Sequence, residues 1–335
     1  MKFEPQWQRD LHFALNPKSM IIDGKSIFIT ERRKKLSKID MVSGETVWSR
    51  NITDAYGWAT TSNGKLFYMS SGDGLCVLEQ DTGERISEFK FQFPYLGYVK
   101  VWGNTILTGG WRGYTDLCAY DLETSKLLWS HNTKTADLQK FSVPSFLNKN
   151  RIFTVNHTTK RIEIIDVKSG KLLDKNVLPD GVHNIDLGCS YQIVDKDVTF
   201  LTNRGKLFKF STEDLSLAIE ELPLESVQTN IPCYFADEMI IRDTEQTYCL
   251  LNRAQKEIVW QIPIEHNSWT DVISVKLGND HFVIAGAQGA MKVISRAGEV
   301  SRLSSENRIT TPFLFIDGYL IYGTKGSIKC FKYLE

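Results

Sequence analysis

One short pattern of apolar and polar positions returns along the whole chain. In its clearest copy, residues 117–129, an apolar strand ends at Asp121, a polar turn follows, and a second apolar strand ends on Trp129. Strand-forming residues on both sides of a cluster of turn formers are typical of two antiparallel strands with a tight connection. The pattern therefore predicts a β-hairpin as the repeating unit of the fold.

The copies of this hairpin align on the first residue of the turn. The aligned positions follow one another at a mean step of about 42 residues, within the range of four-stranded propeller blades. They are Asp40, Glu79, Asp121, Asp166, Ser211, Asn252 and Ser295. The copies at Ser211 and Asn252 lack the glycine that closes most of these turns, and the copy at Ser295 is one residue shorter.

A second hairpin precedes each of these turns and occurs eight times. In each copy a tight turn opens an apolar strand, and the copies begin near residues 23, 63, 103, 149, 195, 237, 279 and 317. Two hairpins per repeat predict a four-stranded antiparallel meander. The chain is therefore predicted to be an all-β, eight-bladed β-propeller, with a seven-bladed ring as the alternative.

The eighth repeat stops before its fourth strand, and the missing strand is predicted at the N-terminus. Residues 3–7 end on Trp7, as the fourth strands elsewhere carry Trp48, Trp129 and Trp260. Residues 1–10 are therefore expected to complete the last blade and close the ring, which removes exposed sheet edges. Because the repeats use nearly the whole chain, residues 1–335 are predicted to form one domain.

The repeat in residues 119–129, Ala-Tyr-Asp-Leu-Glu-Thr-Ser-Lys-Leu-Leu-Trp, resembles that of the pyrroloquinoline-quinone-type (quinoprotein dehydrogenase-like) propellers. The resemblance covers essentially the whole chain. It implies that the Trp packs between neighbouring blades and that the Asp and Gly shape a turn. It implies little about activity, because function resides in sites added to a fold.

The enzymes of that superfamily are generally longer and exported, and many carry adjacent cysteines beside the quinone together with a calcium site. Here no two cysteines are adjacent, and no matching calcium ligands can be assigned. We therefore expect no cofactor, no metal and no quinoprotein redox activity.

Composition narrows the choice of partner and compartment. The 40 basic and 40 acidic residues cancel, so no global charge attracts nucleic acid or an anionic membrane. The chain shows no apolar run of signal-peptide length at its start and no stretch of the roughly 20 apolar residues that a membrane span needs. A cytoplasmic location is expected, with six reduced cysteines that serve as buried packing residues.

One end of the blades is predicted to be richer in loops, because the connections between second and third strands share it with the connections between blades. Basic residues outnumber acidic ones there by about two to one, and aromatic residues gather nearby. Tyr, Trp and Arg dominate binding hot spots. The candidate partner-binding residues are Tyr56, Trp58, Tyr95, Tyr98, Trp111, Arg112, Tyr114, His183, Trp269 and Arg308. The alternative interpretation is that these aromatics only pack the channel wall and that Trp111 plugs the ring.

Signatures of catalysis are mostly absent from the sequence. The six histidines lack the spacing of metal ligands, no Cys-x-x-Cys pair exists, and no glycine-rich loop leads into a helix. Three carboxylates near the expected channel mouth, Asp54, Asp186 and Asp271, could act as acid and base or bind a cation. However, carboxylates on loops are far more often simply solvated than catalytic or cation-binding.

The sequence thus favours a non-enzymatic, monomeric propeller that binds another protein through its loop-rich face, as an adaptor or as a neutralising partner. No binding of nucleic acid is expected. One alternative is an envelope assembly factor similar to the outer-membrane assembly lipoprotein of the same superfamily. A second alternative is a small-molecule or sugar binder or enzyme at the channel mouth, near Trp58, Tyr98 and Trp269.

Overall fold

The computed structural model contains strands and turns, and no helix occurs in the residues it describes. These are residues 2–15, 20–32, 34–70, 74–91, 99–108, 117–131, 145–148, 150–156, 161–177, 191–194, 197–201, 205–214, 216–224, 227–243, 247–263, 273–285, 290–305 and 309–334. They form thirty-two β-strands in eight antiparallel sheets of four strands each. The predicted fold class is confirmed as an all-β, eight-bladed β-propeller, and the seven-bladed alternative is wrong.

The chain divides into two compact units. The first unit comprises Lys18–Pro179 and Asp186–Gly188, and the second comprises Met1–Pro17, Asp180–Ile185 and Cys189–Glu335. Each unit contains four of the eight sheets. That residues 1–335 form one domain stays a prediction.

The four blades of the first unit each use four consecutive strands. Blade 1 contains β2 (Ile21–Asp23), β3 (Ser26–Glu31), β4 (Lys35–Asp40) and β5 (Thr46–Asn51). Blade 2 contains β6 (Asp54–Ser62), β7 (Lys65–Ser70), β8 (Gly74–Glu79) and β9 (Arg85–Phe89). Blade 3 contains β10 (Val99–Trp102), β11 (Thr105–Thr108), β12 (Leu117–Asp121) and β13 (Leu127–His131). Blade 4 contains β14 (Ser145–Asn148), β15 (Arg151–Asn156), β16 (Arg161–Asp166) and β17 (Leu172–Val177).

The second unit repeats this order until its last blade. Blade 5 contains β18 (Tyr191–Val194), β19 (Asp197–Leu201), β20 (Lys206–Ser211) and β21 (Leu217–Glu221). Blade 6 contains β22 (Val227–Phe235), β23 (Glu238–Asp243), β24 (Thr247–Asn252) and β25 (Glu257–Pro263). Blade 7 contains β26 (Ile273–Leu277), β27 (His281–Ala285), β28 (Ala290–Ser295) and β29 (Val300–Ser305). Blade 8 contains β30 (Leu314–Ile316), β31 (Tyr319–Gly323), β32 (Ser327–Leu334) and, as its fourth strand, β1 (Lys2–Asp10).

The N-terminal strand completes blade 8, as the sequence predicts. β1 pairs antiparallel with β32 from Lys2 opposite Leu334 to Asp10 opposite Ser327. The ring of Phe3 lies 5.5 Å from that of Tyr333, and Leu11 continues the contact by donating its N–H to the Gly326 carbonyl at 2.9 Å. The two ends of the described chain, residues 2–10 and 327–334, therefore share one sheet.

The core lies on the second and third strands of the blades. In β3, Ile27, Phe28 and Ile29 are all fully buried although their side chains alternate between the two faces of the sheet. A strand that is covered on both faces reads as a continuous apolar run, whereas a half-exposed strand alternates. Fourth strands such as β5 are mostly exposed. Burial therefore falls from the middle of each blade towards its fourth strand.

The turn between the third and fourth strands is built on the aspartate that the sequence singles out. The Asp166 carboxylate accepts hydrogen bonds from the Ser169 N–H at 2.7 Å and from the Ser169 hydroxyl at 2.6 Å. Gly170 then closes the turn, because its N–H donates to the Asp166 carbonyl at 2.9 Å and its φ is +67°. Glycine adopts this left-handed conformation without the steric penalty of a side chain.

Tryptophan on a fourth strand packs against this turn in the following blade. The indole N–H of Trp48 donates to the Gln80 carbonyl at 3.0 Å, and that of Trp129 donates to the Val167 carbonyl at 2.7 Å. A Cβ atom added to Gly170 would lie 2.5 Å from the Trp129 ring. The implied packing of the tryptophan between neighbouring blades is therefore present within the first unit.

Candidate interaction face

The structure describes the backbone of two of the ten predicted partner-binding residues. Tyr56 and Trp58 lie within β6, where their backbone is described but their side chains are not. The other eight fall outside the described residues: Tyr95, Tyr98, Trp111, Arg112, Tyr114, His183, Trp269 and Arg308. Their role in binding a partner stays a prediction.

The strand bounds agree with an uneven distribution of loops. β13 ends at His131 and β14 begins only at Ser145, whereas the turn from β4 to β5 spans residues 41–45. Most connections from one blade to the next therefore carry more chain than this turn, although blade 1 joins blade 2 through residues 52–53 alone. Long connections on a rigid scaffold are a common location for binding residues.

In blade 1 the turn between β3 and β4 lies at the loop-rich end. It has a buried polar residue at its base and exposed cations at its tip. Glu31 is 1% exposed, and its carbonyl accepts the N–H of Lys34 at 2.9 Å. The Lys34 carbonyl in turn accepts the N–H of Ile52 at 2.8 Å. Arg32 and Lys34 are exposed at the tip, with Arg32 at a φ of +40°. The backbone bonds thus hold the base of the turn while the basic side chains face solvent.

In blade 6 the same end carries a buried carboxylate. Asp243 is 7% exposed and accepts hydrogen bonds from the backbone N–H of Thr247 at 3.0 Å and from its hydroxyl. The Cys249 thiol lies 3.8 Å from the same carboxylate. Desolvation by burial raises the pKa of Cys249 to about 11, so this cysteine is a protonated thiol near neutral pH. These contacts are better explained as a cluster that fixes the end of β23 against the start of β24 than as a nucleophilic site.

In blade 8 the short turn between β31 and β32 is also held by hydroxyl groups. The Thr324 hydroxyl lies 3.0 Å from the Ser327 hydroxyl and accepts the Ser327 N–H at 3.1 Å. The Gly323 N–H donates to the Thr311 hydroxyl at 2.6 Å. Only Lys325 and Gly326 of this turn are exposed. The buried polar groups of this turn are therefore paired locally.

The cysteines and the acidic side chains were candidates for a reactive or metal-binding site. No group of three or more His, Cys, Asp or Glu side chains among the described residues could hold a metal ion. The cysteines of blades 2, 3, 6 and 8 are buried on third strands of four different sheets: Cys76, Cys118, Cys249 and Cys330. They fill blade cores, as the sequence predicts, and Cys233 is half-buried. The Asp54 side chain, Asp186 and Asp271 lie outside the described part of the chain.

A cavity opens where blades 2 and 3 meet, at the opposite end from the predicted face. Its volume is about 410 Å³, and its lining includes Phe67, Val77, Ser87, Asn104, Leu122 and Glu123. Ser87 occupies the register position that Trp48 and Trp129 hold in their own blades. Sequence reasoning overlooked this cavity, although the missing tryptophan in the repeat was a visible signal.

Along the described stretches of the chain, helices long and apolar enough to cross a bilayer do not occur.

Comparison with protein-family models gives one match, described as "Outer membrane protein assembly factor BamB", over residues 4–262. This segment runs from β1 to β25 and so includes most of the strands. A comparison with curated proteins found no match.

Solved structures with very different activities share the fold. The crystal structure of BamB from Moraxella catarrhalis aligns with a TM-score of 0.70 at 15% identity, covering 99% of this chain and 100% of that one. The computationally designed Ika8 protein gives 0.69 at 12% identity, with 99% and 100% covered. A europium-containing methanol dehydrogenase gives 0.70 at 9% identity, with 98% and 93% covered. Identities this low show a common fold and leave the activity open.

Proposed function

This chain belongs to the family of the outer membrane protein assembly factor BamB, and from that premise we propose that it is a non-enzymatic, protein-binding propeller of the assembly-factor type. The observation that carries the proposal is the family match over residues 4–262, which includes the repeats themselves. The structural similarity to a methanol dehydrogenase at 9% identity supports the fold alone.

The scaffold supports a binding role because tryptophan fixes one blade to the next at two junctions of the first unit. Trp48 and Trp129 each connect a blade to the next one through a hydrogen bond and through contact with a turn glycine. A surface that is rigid before binding loses little conformational entropy when a partner docks. Long inter-blade connections on such a scaffold are the segments that we propose contact the partner.

The candidate residues would supply the anchors of that contact. Trp58, Trp111 and Trp269 offer large aromatic surface, and Arg112 offers a planar cation; these residue types are enriched in binding hot spots. The exposed Arg32 and Lys34 at the tip of blade 1 lie at the same end of their blade. We therefore infer a partner surface that offers apolar pockets and acidic groups.

Site-specific photo-crosslinking in the native organism tests this proposal. A photoreactive phenylalanine derivative is placed at Trp58, Trp111 or Trp269 of the full chain, and at the exposed turn residues Glu84 and Lys126 as matched controls. The proposal predicts one and the same cross-linked protein from the three tryptophan positions and none from the controls. Cross-links confined to the controls, or none at any position, would contradict it.

The family description favours an envelope role over the cytoplasmic adaptor expected from composition. Fractionation of the full-length native gene product separates these two versions of the proposal. Recovery with outer membranes supports the assembly-factor version. Recovery in the cytosol supports an adaptor or neutralising partner that uses the same fold.

A further inference from the structure

We propose that the cavity between blades 2 and 3 is a binding site for an indole group, which would occupy the place that tryptophan fills at other blade junctions. The inference goes beyond the proposed function, because the cavity lies at the turn end of the blades and not among the long connections. It depends on the comparison of four junctions within the two units.

Three described junctions show how the repeat accommodates an indole. The three tryptophans hold the same register position on the fourth strand of their blades. Each is paired with the third-strand residue that lies two positions before the first residue of the turn. The pairs are Trp48 with Lys38, Trp129 with Ala119 and Trp260 with Leu250. Each ring packs against a turn glycine of the next blade. These glycines are Gly83, Gly170 and Gly298, where an added Cβ would lie 2.6, 2.5 and 3.3 Å from the tryptophan.

The acceptor for the indole N–H is the carbonyl directly after the first residue of the turn. Trp48 uses Gln80, and Trp129 uses Val167. The turn facing Trp260 is one residue shorter, since the Gly298 N–H bonds to the Ser295 carbonyl three positions back. The Trp260 indole N–H is buried and has no partner among the described residues. In the longer turns the backbone hydrogen bond spans four residues. This spacing therefore brings the carbonyl within hydrogen-bond distance of the indole N–H.

The junction between blades 2 and 3 keeps this turn and lacks the ring. Val77 pairs with Ser87 at the register of the tryptophans. The turn of blade 3 retains the longer spacing, because the Ser125 N–H donates to the Asp121 carbonyl at 3.0 Å. Ser125 stands at the glycine position with a φ of +59°. The tryptophan and the glycine are therefore both replaced, and the cavity of about 410 Å³ remains.

The cavity offers apolar contacts for an indole at Phe67 and Val77, and the rest of its lining is mostly polar, including Ser62, Asn63 and Lys65. Phe67 is 1% exposed and corresponds to Phe28, whose ring lies 6.0 Å from that of Trp48. Val77, 2% exposed, adds an aliphatic wall. The rings of Phe28 and Trp48 are tilted by 47°, and a ring contact at this distance favours an aromatic guest. The Leu122 carbonyl stands where the Gln80 and Val167 carbonyls accept the indole N–H.

The site is also formed before any ligand arrives. The Leu122 N–H donates to the Asn104 carbonyl at 2.8 Å, and the Asn104 side chain donates to the Asp121 carboxylate at 2.8 Å. These bonds fix the turn that presents the Leu122 carbonyl. In addition, Val77 is shorter than Lys38, which reaches across its own junction to Asp81 at 2.7 Å. The smaller side chain leaves space beside Glu123 at the rim.

Fluorine NMR with 5-fluoroindole as the probe tests the site on the full chain. A ligand of this size is expected to bind with a dissociation constant on the order of millimolar. Unlabelled indole should displace the probe, and 1-methylindole, which cannot donate a hydrogen bond, should do so about threefold to tenfold more weakly. Absence of binding to the wild-type protein, or equal displacement by both compounds, would overturn the proposal.

Variants locate the binding. Ser87→Trp with Ser125→Gly restores both halves of the contact, so it should abolish probe binding and raise the Tm by about 1–4 °C. Ser87→Leu fills the same space without an indole and should also abolish binding, which covers the case that the double variant folds poorly. Val47→Trp adds an exposed indole on the fourth strand of blade 1, where Val47 is 53% exposed, and should leave binding unchanged. Binding that persists in both filled variants would show that the probe binds elsewhere.

Two sources could supply the indole, and a second ligand distinguishes them. Displacement of the probe by N-acetyl-L-tryptophanamide as well as by indole would support a tryptophan side chain of a polypeptide as the natural guest. Displacement by indole alone would support a free indole compound. Loss of the proposed function in the crosslinking experiment would leave either result intact, because the two surfaces share no residue.

Discussion

The indole N–H of Trp129 donates a 2.7 Å hydrogen bond to the carbonyl of Val167 in the next blade, and its ring lies against Gly170. The tryptophan is 8% exposed although it lies on a fourth strand that is otherwise largely open to solvent. One side chain thus joins two sheets through a polar and an apolar contact.

This contact predicts that Gly170→Ala is far more damaging than alanine at an open glycine. The new Cβ would lie 2.5 Å from the Trp129 ring at a φ of +67°, so steric overlap adds to backbone strain, and we expect a loss of about 2–4 kcal/mol. Gly64→Ala is the matched control, since its φ is +71° and nothing lies within 4 Å; strain alone should cost about 1 kcal/mol. Urea unfolding measures both, and equal losses would contradict the contact.

The turn aspartates predict a dependence of stability on pH. Hydrogen bonds from the Ser169 hydroxyl, and then from its N–H, hold the pKa of Asp166 below its usual value. A carboxylate with a lowered folded-state pKa stabilises the fold above its unfolded pKa, about 3.9, and this contribution is lost as pH falls through the folded pKa.

Asp166→Ala should therefore destabilise the protein at pH 7 and by progressively less below about pH 4. Asp166→Asn serves as a control, because the amide oxygen can still accept a hydrogen bond but does not titrate. Urea midpoints collected from pH 7 to pH 2.5 provide the test. A difference between wild type and Asp166→Ala that stays constant over this range would rule out the ionised carboxylate as the cause.

Ion pairs connect blades 6 and 7, in addition to the packing of Trp260 between them. The Glu238 side chain is 5% exposed and lies 2.9 Å from the Lys276 ammonium and 2.5 Å from the Arg296 guanidinium. The latter approach is an ion pair without good hydrogen-bond geometry, since Glu238 Oε1 accepts no hydrogen bond from the described residues. Removing one partner of a buried pair leaves an uncompensated charge.

Glu238→Ala should cost about 1–3 kcal/mol, because Lys276 and Arg296 keep partial contact with solvent. A double-mutant cycle with Lys276→Ala should show positive coupling. The exposed Lys2–Glu4 pair, 71% and 41% exposed, is the control, and its removal should change stability by about 0.5 kcal/mol or less. Equal effects at the two pairs would show that burial of Glu238 contributes nothing.

The pairing of β1 with β32 predicts tolerance to circular permutation. Lys2 lies opposite Leu334, so a short turn after β32 could lead directly into a relocated β1. A permutant that carries residues 2–10 after the C-terminus should unfold near the wild-type urea midpoint. Deletion of residues 2–10 leaves the β32 edge unpaired and should give aggregation. Equal behaviour of the deletion and the wild type would refute a structural role for β1.

The repeat allowed the fold to be predicted because most blades share parts of one local pattern. Asp121 and Asp166 open the turns, Gly170 closes one, and Trp129 marks a fourth strand. These signals lie within about ten residues of one another, so one sequence is enough to read them. The placement of residues 1–10 also followed, because Trp7 supplied the tryptophan that the last repeat lacks.

Contacts between residues distant in sequence could not be read in this way. Glu238, Lys276 and Arg296 come together only when two blades pack, and a charged residue at such a position looks like an ordinary surface residue in the sequence. Ser87 and Ser125 differ from the repeat, but the sequence cannot show whether neighbouring side chains close the space that a missing tryptophan leaves. The candidate binding residues in the long connections stay predictions, because irregular loops carry no repeat from which their positions follow.

We claim that a protein partner binds through the long connections between the blades. Comparative affinity capture from the native organism tests it most directly, with tagged full-length wild type, Trp111→Ala with Arg112→Ala, and a control with Glu84→Ala at the opposite turn. We predict one stoichiometric partner in the wild type and the control, and its loss in the Trp111 and Arg112 variant. Equal recovery from all three proteins, or no stoichiometric partner from the wild type, would contradict the claim.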